Sequence, residues 1–176
     1  MLISLLQKRR SIRKFQDKKV EPEKIETLIE AALRSPSGGA KNPWEFVVVT
    51  DKEILEKLST AKEHGSALIK GASLGIVICA DPGKQDIWIE DAAIASTIIH
   101  LTAASLELGS CWIQIRERMH KGNEPAESYI TELLGLPKNL KVLSMVAIGY
   151  PAEEKPGHGK EELLYDRIHR NRYGKK

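Results

Sequence analysis

The chain has 176 residues, of which 41% are hydrophobic and 29% charged, a balance that gives one globular domain with a real core and excludes disordered, collagen-like and coiled-coil chains. A formal charge of +3 is too small to mark a polyanion-binding protein by itself. Only Cys79 and Cys111 are present, with no CxxC pair and no Cys/His cluster at ligand spacing, so a disulfide scaffold and a zinc site are both disfavoured.

The opening MLISLLQKRR is too short in apolar residues for a secretory core, which makes a cytoplasmic chain the expectation. Its Leu2, Ile3, Leu5 and Leu6 make a short first helix. Glu21–Leu33 places Ile25, Leu28, Ile29, Ala32 and Leu33 on one helical stripe, with Pro22 in the first turn where its missing N–H costs nothing. A permissive loop, Ser35 to Pro43, follows. Phe46–Thr50 reads as a strand, and Asp51 caps a short helix carrying Ile54, Leu55 and Leu58. Ser73–Ala80 is a buried strand ended by Asp81-Pro82-Gly83.

Asp91–Leu108 is the longest apolar run, interrupted by Ser96, Thr97, His100 and Thr102, and so reads as a buried helix that crosses no membrane. Glu90 and Asp91 read as caps at its start and Gly109 as the cap at its end. Because its apolar residues cover more than one stripe, it is expected at the centre of the fold and at a homodimer interface. Ser110–Ile115 and Val142–Gly149 complete the strands, and Pro125–Leu134 is a helix ended by Gly135 and Pro137. Strands and helices do not alternate strictly, which predicts an α+β fold with a mixed sheet flanked by helices. Residues 151–176 are expected to form an extended arm of the single domain 1–176.

Lys8, Arg9, Arg10, Arg13, Lys14, Lys18 and Lys19 stand against Asp17 alone, so the rest of the chain is slightly acidic. Arg9, Arg10, Ser11 and Arg13 follow the first helix directly, and guanidinium groups grip phosphate bidentately. Neither GxGxxG nor a P-loop occurs. The alternative is an arginine grip on one phosphate, with backbone donors from Ser37-Gly38-Gly39 and the amide of Asn42 for a heteroaromatic edge. No Ser or Cys can be paired with His and Asp partners from the sequence alone, Cys111 reads as a small buried hydrophobe, and His100 reads as a packed, hydrogen-bonded residue. A phosphate grip without an acid, base or nucleophile leaves the chemistry to a cofactor.

Five segments occur in an order that resembles the nitroreductase family: Arg9-Arg10-Ser11-Ile12-Arg13-Lys14-Phe15, Ser35 through Phe46, Asp91-Ala92-Ala93-Ile94-Ala95, Leu108 through Ile113, and Ile148-Gly149-Tyr150-Pro151. The resemblance implies a largely antiparallel sheet and FMN bound at a homodimer interface. By it, Arg9, Arg10, Ser11 and Arg13 hold the FMN phosphate and the pyrimidine edge, and Pro36, Ser37 and Gly38 approach from the other subunit. Asn42 stands where relatives often have Gln or Ser. The backbone at Trp112, Ile113 and Gln114 passes flavin N5, with Gln114 where many relatives have Gly. Among Lys155, His158 and Lys160 in the arm, Lys160 is the expected completion of the phosphate site, and Tyr165 to Tyr173 resembles a closing segment that wraps the partner.

The implied activity is hydride transfer from NADH or NADPH, through FMN, to a small electron-poor acceptor: a nitroaromatic, quinone or enone. No catalytic side chain and no metal are expected. Two competing readings are a flavin-binding protein without turnover, which Gln114 keeps open, and a basic-faced dimer that binds nucleic acid or an acidic partner. The latter calls for aromatic residues interleaved with the basic cluster, where only Phe15 is near. The expected partners are therefore a second copy and a small substrate, with neither nucleic acid nor membrane.

Overall fold

The computed structural model describes residues 1–175; Lys176, the last residue of the expected arm, lies outside them. In chain order the elements are α1 Leu2–Lys8, α2 Pro22–Leu33, β1 Trp44–Val49, α3 Lys52–Ser59, β2 Leu74–Ala80, α4 Trp88–Ser105, β3 Gly109–Gln114, α5 Ala126–Leu134 and β4 Lys141–Gly149. The strands form one sheet in the order β1-β2-β4-β3, antiparallel at every pairing. The fold is α+β, as the order of elements predicts. Among the described residues a parallel contribution comes only from the bridge between Ser11 and Ser110, where the segment after α1 meets the edge of the sheet.

Period-2 alternation sorts the central strands onto two cores. Val77 and Cys79 of β2, Met145 and Ala147 of β4 and Ile113 of β3 face α3 and α5, against Leu55, Leu58 and Ile130. Ile76 and Ile78 of β2 with Val146 and Ile148 of β4 face α2 and α4, against Leu28, Ala92, Ile99 and Ala103. Both faces of β2 and β4 are covered, which is why those strands read as unbroken apolar runs. Each fully buried leucine or isoleucine contributes about 1.5–3 kcal/mol. The central placement of α4 is as expected.

Local chemistry explains most boundaries. The Asp51 carboxylate accepts from the N–H groups of Glu53 and Ile54 at 2.8 and 3.0 Å, the expected cap of α3. Gly135, at φ 64°, ends α5 in the left-handed region. Two expectations fail at α4. The helix begins at Trp88, with Ile87 at its N-cap and no side-chain cap, so Asp91 lies inside the first turn and serves elsewhere. At the other end Leu106 closes the helix and Glu107 takes the positive φ of 62°. Gly109 instead opens β3, because a Cβ there would sit 2.7 Å from Ile12 Cγ2.

From residue 151 to 175 no residue is buried, and Leu163, Leu164, Tyr165 and Ile168 are exposed in short turns. Among the described residues no helix is long and apolar enough to cross a membrane.

Candidate active site

The basic segment after α1 is laid along the outer edge of β3. The Ile12 N–H donates to Ser110 O at 2.9 Å, setting Ser11 beside Ser110. The chain leaving β4 then clamps the same segment: Gln16 N–H donates to Tyr150 O and Ala152 N–H to Lys14 O, each at 2.9 Å. Glu153 accepts from the N–H groups of Arg13 (2.6 Å) and Lys14 (3.2 Å), and these donors, with Lys155, hold its carboxyl below the usual range. Lys155 Nζ donates to Ser11 O at 3.0 Å and pairs with Glu153 at 3.2 Å. The Arg10 guanidinium donates to Pro156 O. A cleft of about 730 Å³ opens between α1, the end of α4 and the arm, and Lys8, Arg9, Arg10, Ser110 and Lys155 are among the residues that line it.

Arg9 reaches from the end of α1 to His100 on α4, with Nη1 at 2.6 Å from Nε2. A guanidinium can only donate, so Nε2 accepts and the remaining ring proton is on Nδ1, which donates to Ser110 Oγ. Burial and then Arg9 push the His100 pKa down to about 4, and the ring is neutral. On the other side of β3, burial pushes the Cys111 thiol up although Arg13, Lys155 and Lys62 oppose it. Cys79 is pushed up to about 12 by burial. Neither thiol is an activated nucleophile. Lys62 is half-buried, and burial followed by Arg118 lowers its pKa.

Hydrogen-bonding direction alternates along a strand, and this decides what the edge of β3 offers. Ser110 turns its main chain outward to Ile12, whereas Ile115 donates inward to Leu143 O. Trp112 and Gln114, in register with Ser110, therefore present N–H and C=O to the open edge. The Gln114 side chain is folded along its own strand: its Oε1 accepts from Trp112 Nε1 and its Nε2 donates to Arg116 O, both at 3.1 Å. Ile113 points into the core.

In the permissive loop, Ser37 Oγ donates to Asn42 Oδ1 (2.7 Å) and accepts from Asn42 N–H (2.9 Å). Asp91 Oδ1 accepts from Gly38 N–H at 2.9 Å, and Gln85 Nε2 donates to Gly38 O at 2.8 Å. The N–H and the C=O of Gly38 are thus both tied down. A Cβ on Gly38 would lie 2.6 Å from Gln85 Nε2 and closer still to Ile87. Asp91 is 2% exposed, and its Oδ2 has no partner among the described residues.

Residues 6–150 match the Nitroreductase family. The chain belongs to the nitroreductase family. An FMN-dependent nitroreductase of Clostridium difficile R20291 has 46% identity and a TM-score of 0.96, over 97% of this chain and 99% of that one. A protein of Archaeoglobus fulgidus with the provisional name NADH dehydrogenase/NAD(P)H nitroreductase is 38% identical over 97% of this chain and 98% of its own length. An FMN reductase [NAD(P)H] of Bacillus subtilis is 28% identical over 97% of this chain and 75% of its own length.

In this chain Arg9, Arg10 and Ser11 come together beside the cleft, with the main chain of Arg13 held by Glu153 and its side chain exposed. Pro36, Ser37, Gly38 and Asn42 form a separate loop, joined to that cluster by no hydrogen bond among the described residues. In the arm, Lys155 lines the cleft. Lys160 is exposed on the turn Lys160–Glu162, whose Glu162 accepts from His158 at 2.7 Å and also feels Arg10. Sequence reasoning missed the tie between His100 and Arg9 and the one between Asp91 and Gly38, since both span long stretches of chain. For Asp91 one signal was present: an acid within an apolar helix calls for a partner.

Proposed function

We propose that this nitroreductase holds FMN along the open edge of β3, between the basic cleft and the second copy of the chain, and reduces a small electron-poor acceptor with NADH or NADPH. The observation that carries the reading is the edge itself. Outward N–H and C=O groups at Trp112 and Gln114, flanking Ile113, end at Ser110, where Ser11 and the cations begin. A planar heterocycle with alternating donors and acceptors fits the first part, and a phosphate dianion fits the second.

When bound, FMN supplies N5 as the atom that accepts hydride from NAD(P)H and donates it to the acceptor. The chain's residues bind and orient. Arg9 and Arg10, with Lys155 and Lys160 from the arm, neutralise the phosphate, and the Ser11 hydroxyl adds a donor. Arg13 places positive charge toward the pyrimidine side, where reduction leaves negative charge. Pro36, Ser37, Gly38 and Asn42 act across the dimer, on the other subunit's flavin. That the loop is held by its own hydrogen bonds, with none to its own basic cluster among the described residues, supports this.

A homodimer is supported by apolar surface left open on α4, where Ile94 is 40% exposed, and on the arm. We place residues 1–176 in one such domain and the protein in the cytoplasm, where NAD(P)H is at hand. Nitroaromatics, quinones and enones are the acceptors the reading admits.

The test is the absorbance of the purified protein between about 350 and 500 nm, followed by anaerobic addition of NADH and of NADPH. Flavin bands that bleach are the expected result. A protein that is colourless and takes up no added FMN overturns the site assignment, and bands that persist with both nucleotides overturn the reductase.

A further inference from the structure

We propose that His100 is a positioning residue for phosphate recognition: from the middle of α4 it fixes the Arg9 guanidinium at the cleft while leaving its charge whole. The proposal rests on the reading of the cleft as the FMN phosphate site.

Arg9 and Ile12 are tied to the same corner of the fold by different means. Ile12 is held by its main chain, through Ser110 O. Arg9 is held by its side chain, through His100 Nε2 at 2.6 Å, and His100 is held in turn by Ser110 Oγ. Ser110, 2% exposed, closes the ring of contacts from both sides. Arg9 is the C-cap residue of α1, its N–H donating to Leu5 O, so the side chain leaves a fixed main chain and meets a fixed acceptor. Its geometry is settled before any ligand arrives, which lowers the ordering cost of binding.

The nature of the acceptor matters. An aspartate or glutamate at position 100 would also hold Arg9, but it would cancel the charge needed for a phosphate dianion. A neutral imidazole takes one of the five guanidinium N–H donors and leaves the other four and the full positive charge to the ligand. Arg9 and Ser110 are the groups that hydrogen-bond the ring, and Arg9 is the charged group that acts on it. The arrangement is self-consistent: Arg9 opposes protonation of His100, and the unprotonated ring can accept from Arg9.

The experiment compares dissociation constants for FMN and for riboflavin, which lacks the phosphate, by flavin fluorescence on the full chain. His100→Phe keeps the ring volume and removes both hydrogen bonds. It should weaken FMN about tenfold, the worth of one hydrogen bond to a charged group, and leave riboflavin within about twofold. His100→Gln, which restores an acceptor, should recover most of the loss. Arg9→Ala should weaken FMN selectively, and the double variant should be no weaker than Arg9→Ala alone. Equal weakening of both flavins by His100→Phe, or no weakening of either, overturns the positioning role. Arg9→Ala without effect on FMN overturns instead the phosphate reading beneath it. If His100→Phe does not fold, Ser110→Ala removes the second bond in its place: a loss confined to FMN supports the proposal, and an equal loss for both flavins, or no loss for either, overturns it.

Discussion

Gly109→Ala tests whether the N-terminal segment is held against β3 as described. An added Cβ would sit 2.7 Å from Ile12 Cγ2 and 2.9 Å from Ile12 Cβ. A rotamer change can move Cγ2 but not Cβ, which is fixed to the main chain. The residue as a whole must retreat, and with it the hydrogen bond from its N–H to Ser110 O. Overpacking of this kind costs about 1–3 kcal/mol, which for a chain of this size is a fall in Tm of about 3–10 °C. Since Ile12 lies between Ser11 and Arg13, the same displacement should weaken FMN about tenfold or more. Differential scanning calorimetry and flavin titration of the variant measure both effects. Gly71→Ala is the control, because nothing lies within 4 Å of its added Cβ; it should be neutral or stabilising by up to about 1 kcal/mol. A Gly109→Ala protein with wild-type Tm and wild-type FMN affinity refutes the packing argument and the coupling to the site together.

Asp51→Ala removes the acceptor for two N–H groups of α3 and should cost about 1 kcal/mol in urea unfolding, with flavin affinity unchanged. Asp91→Ala leaves the Gly38 N–H without its acceptor and should cost about 1–3 kcal/mol. On the proposed reading every flavin of the homodimer meets the partner's copy of this loop, so flavin titration should also show weaker FMN binding; Asp91→Asn, which keeps an acceptor oxygen, should lie near wild type. His100 gives stability a defined pH dependence. Its folded pKa of about 4 lies below the ordinary value of 6.5, so between these values the unfolded chain binds the extra proton and stability rises with pH. The unfolding free energy of the flavin-free protein in denaturant titrations should therefore fall as pH drops from 6.5 to 4, by at most about 3 kcal/mol. His100→Gln should show a shallower slope over that window, and identical slopes would mean that His100 titrates normally.

What could be read from the sequence was whatever local chemistry decides. The stripe of α2 fixes a helix without reference to anything distant, and so do the Asp51 cap and the αL glycine after α5. The unbroken apolar runs of β2 and β4 announce strands covered on both faces. The Arg-Arg-Ser-x-Arg motif could be found because its residues are adjacent. Asp91 and Gly109 were misread as caps because, judged locally, an acid near a helix start and a glycine near a helix end are caps. Their actual roles depend on Gly38 and on Ile12, 53 residues from Asp91 and far from Gly109 in sequence. His100 was rightly read as packed and hydrogen-bonded, but that its partner is Arg9, 91 positions away, follows only from how α1 docks on α4.

The same distinction between local and distant contacts orders the site. The edge of β3 is rigid, carried by a strand paired along its whole length with the fully covered β4. The cations of the cleft come from the two ends of the chain, the segment after α1 and the arm after β4. They hold each other through Glu153 on the N–H groups of Arg13 and Lys14, Lys155 on Ser11 O, and Arg10 on Pro156 O. All but one of the main-chain partners in these bonds belong to the N-terminal segment, so the arm orders the backbone of the basic motif more than its side chains. That leaves the guanidinium groups of Arg9 and Arg13 to be placed by other means. For Arg9 the means is His100, a neutral side chain on the most deeply embedded helix. For Arg13, whose side chain is exposed, no such tether exists among the described residues, so on the proposed reading its orientation is set by the flavin it meets.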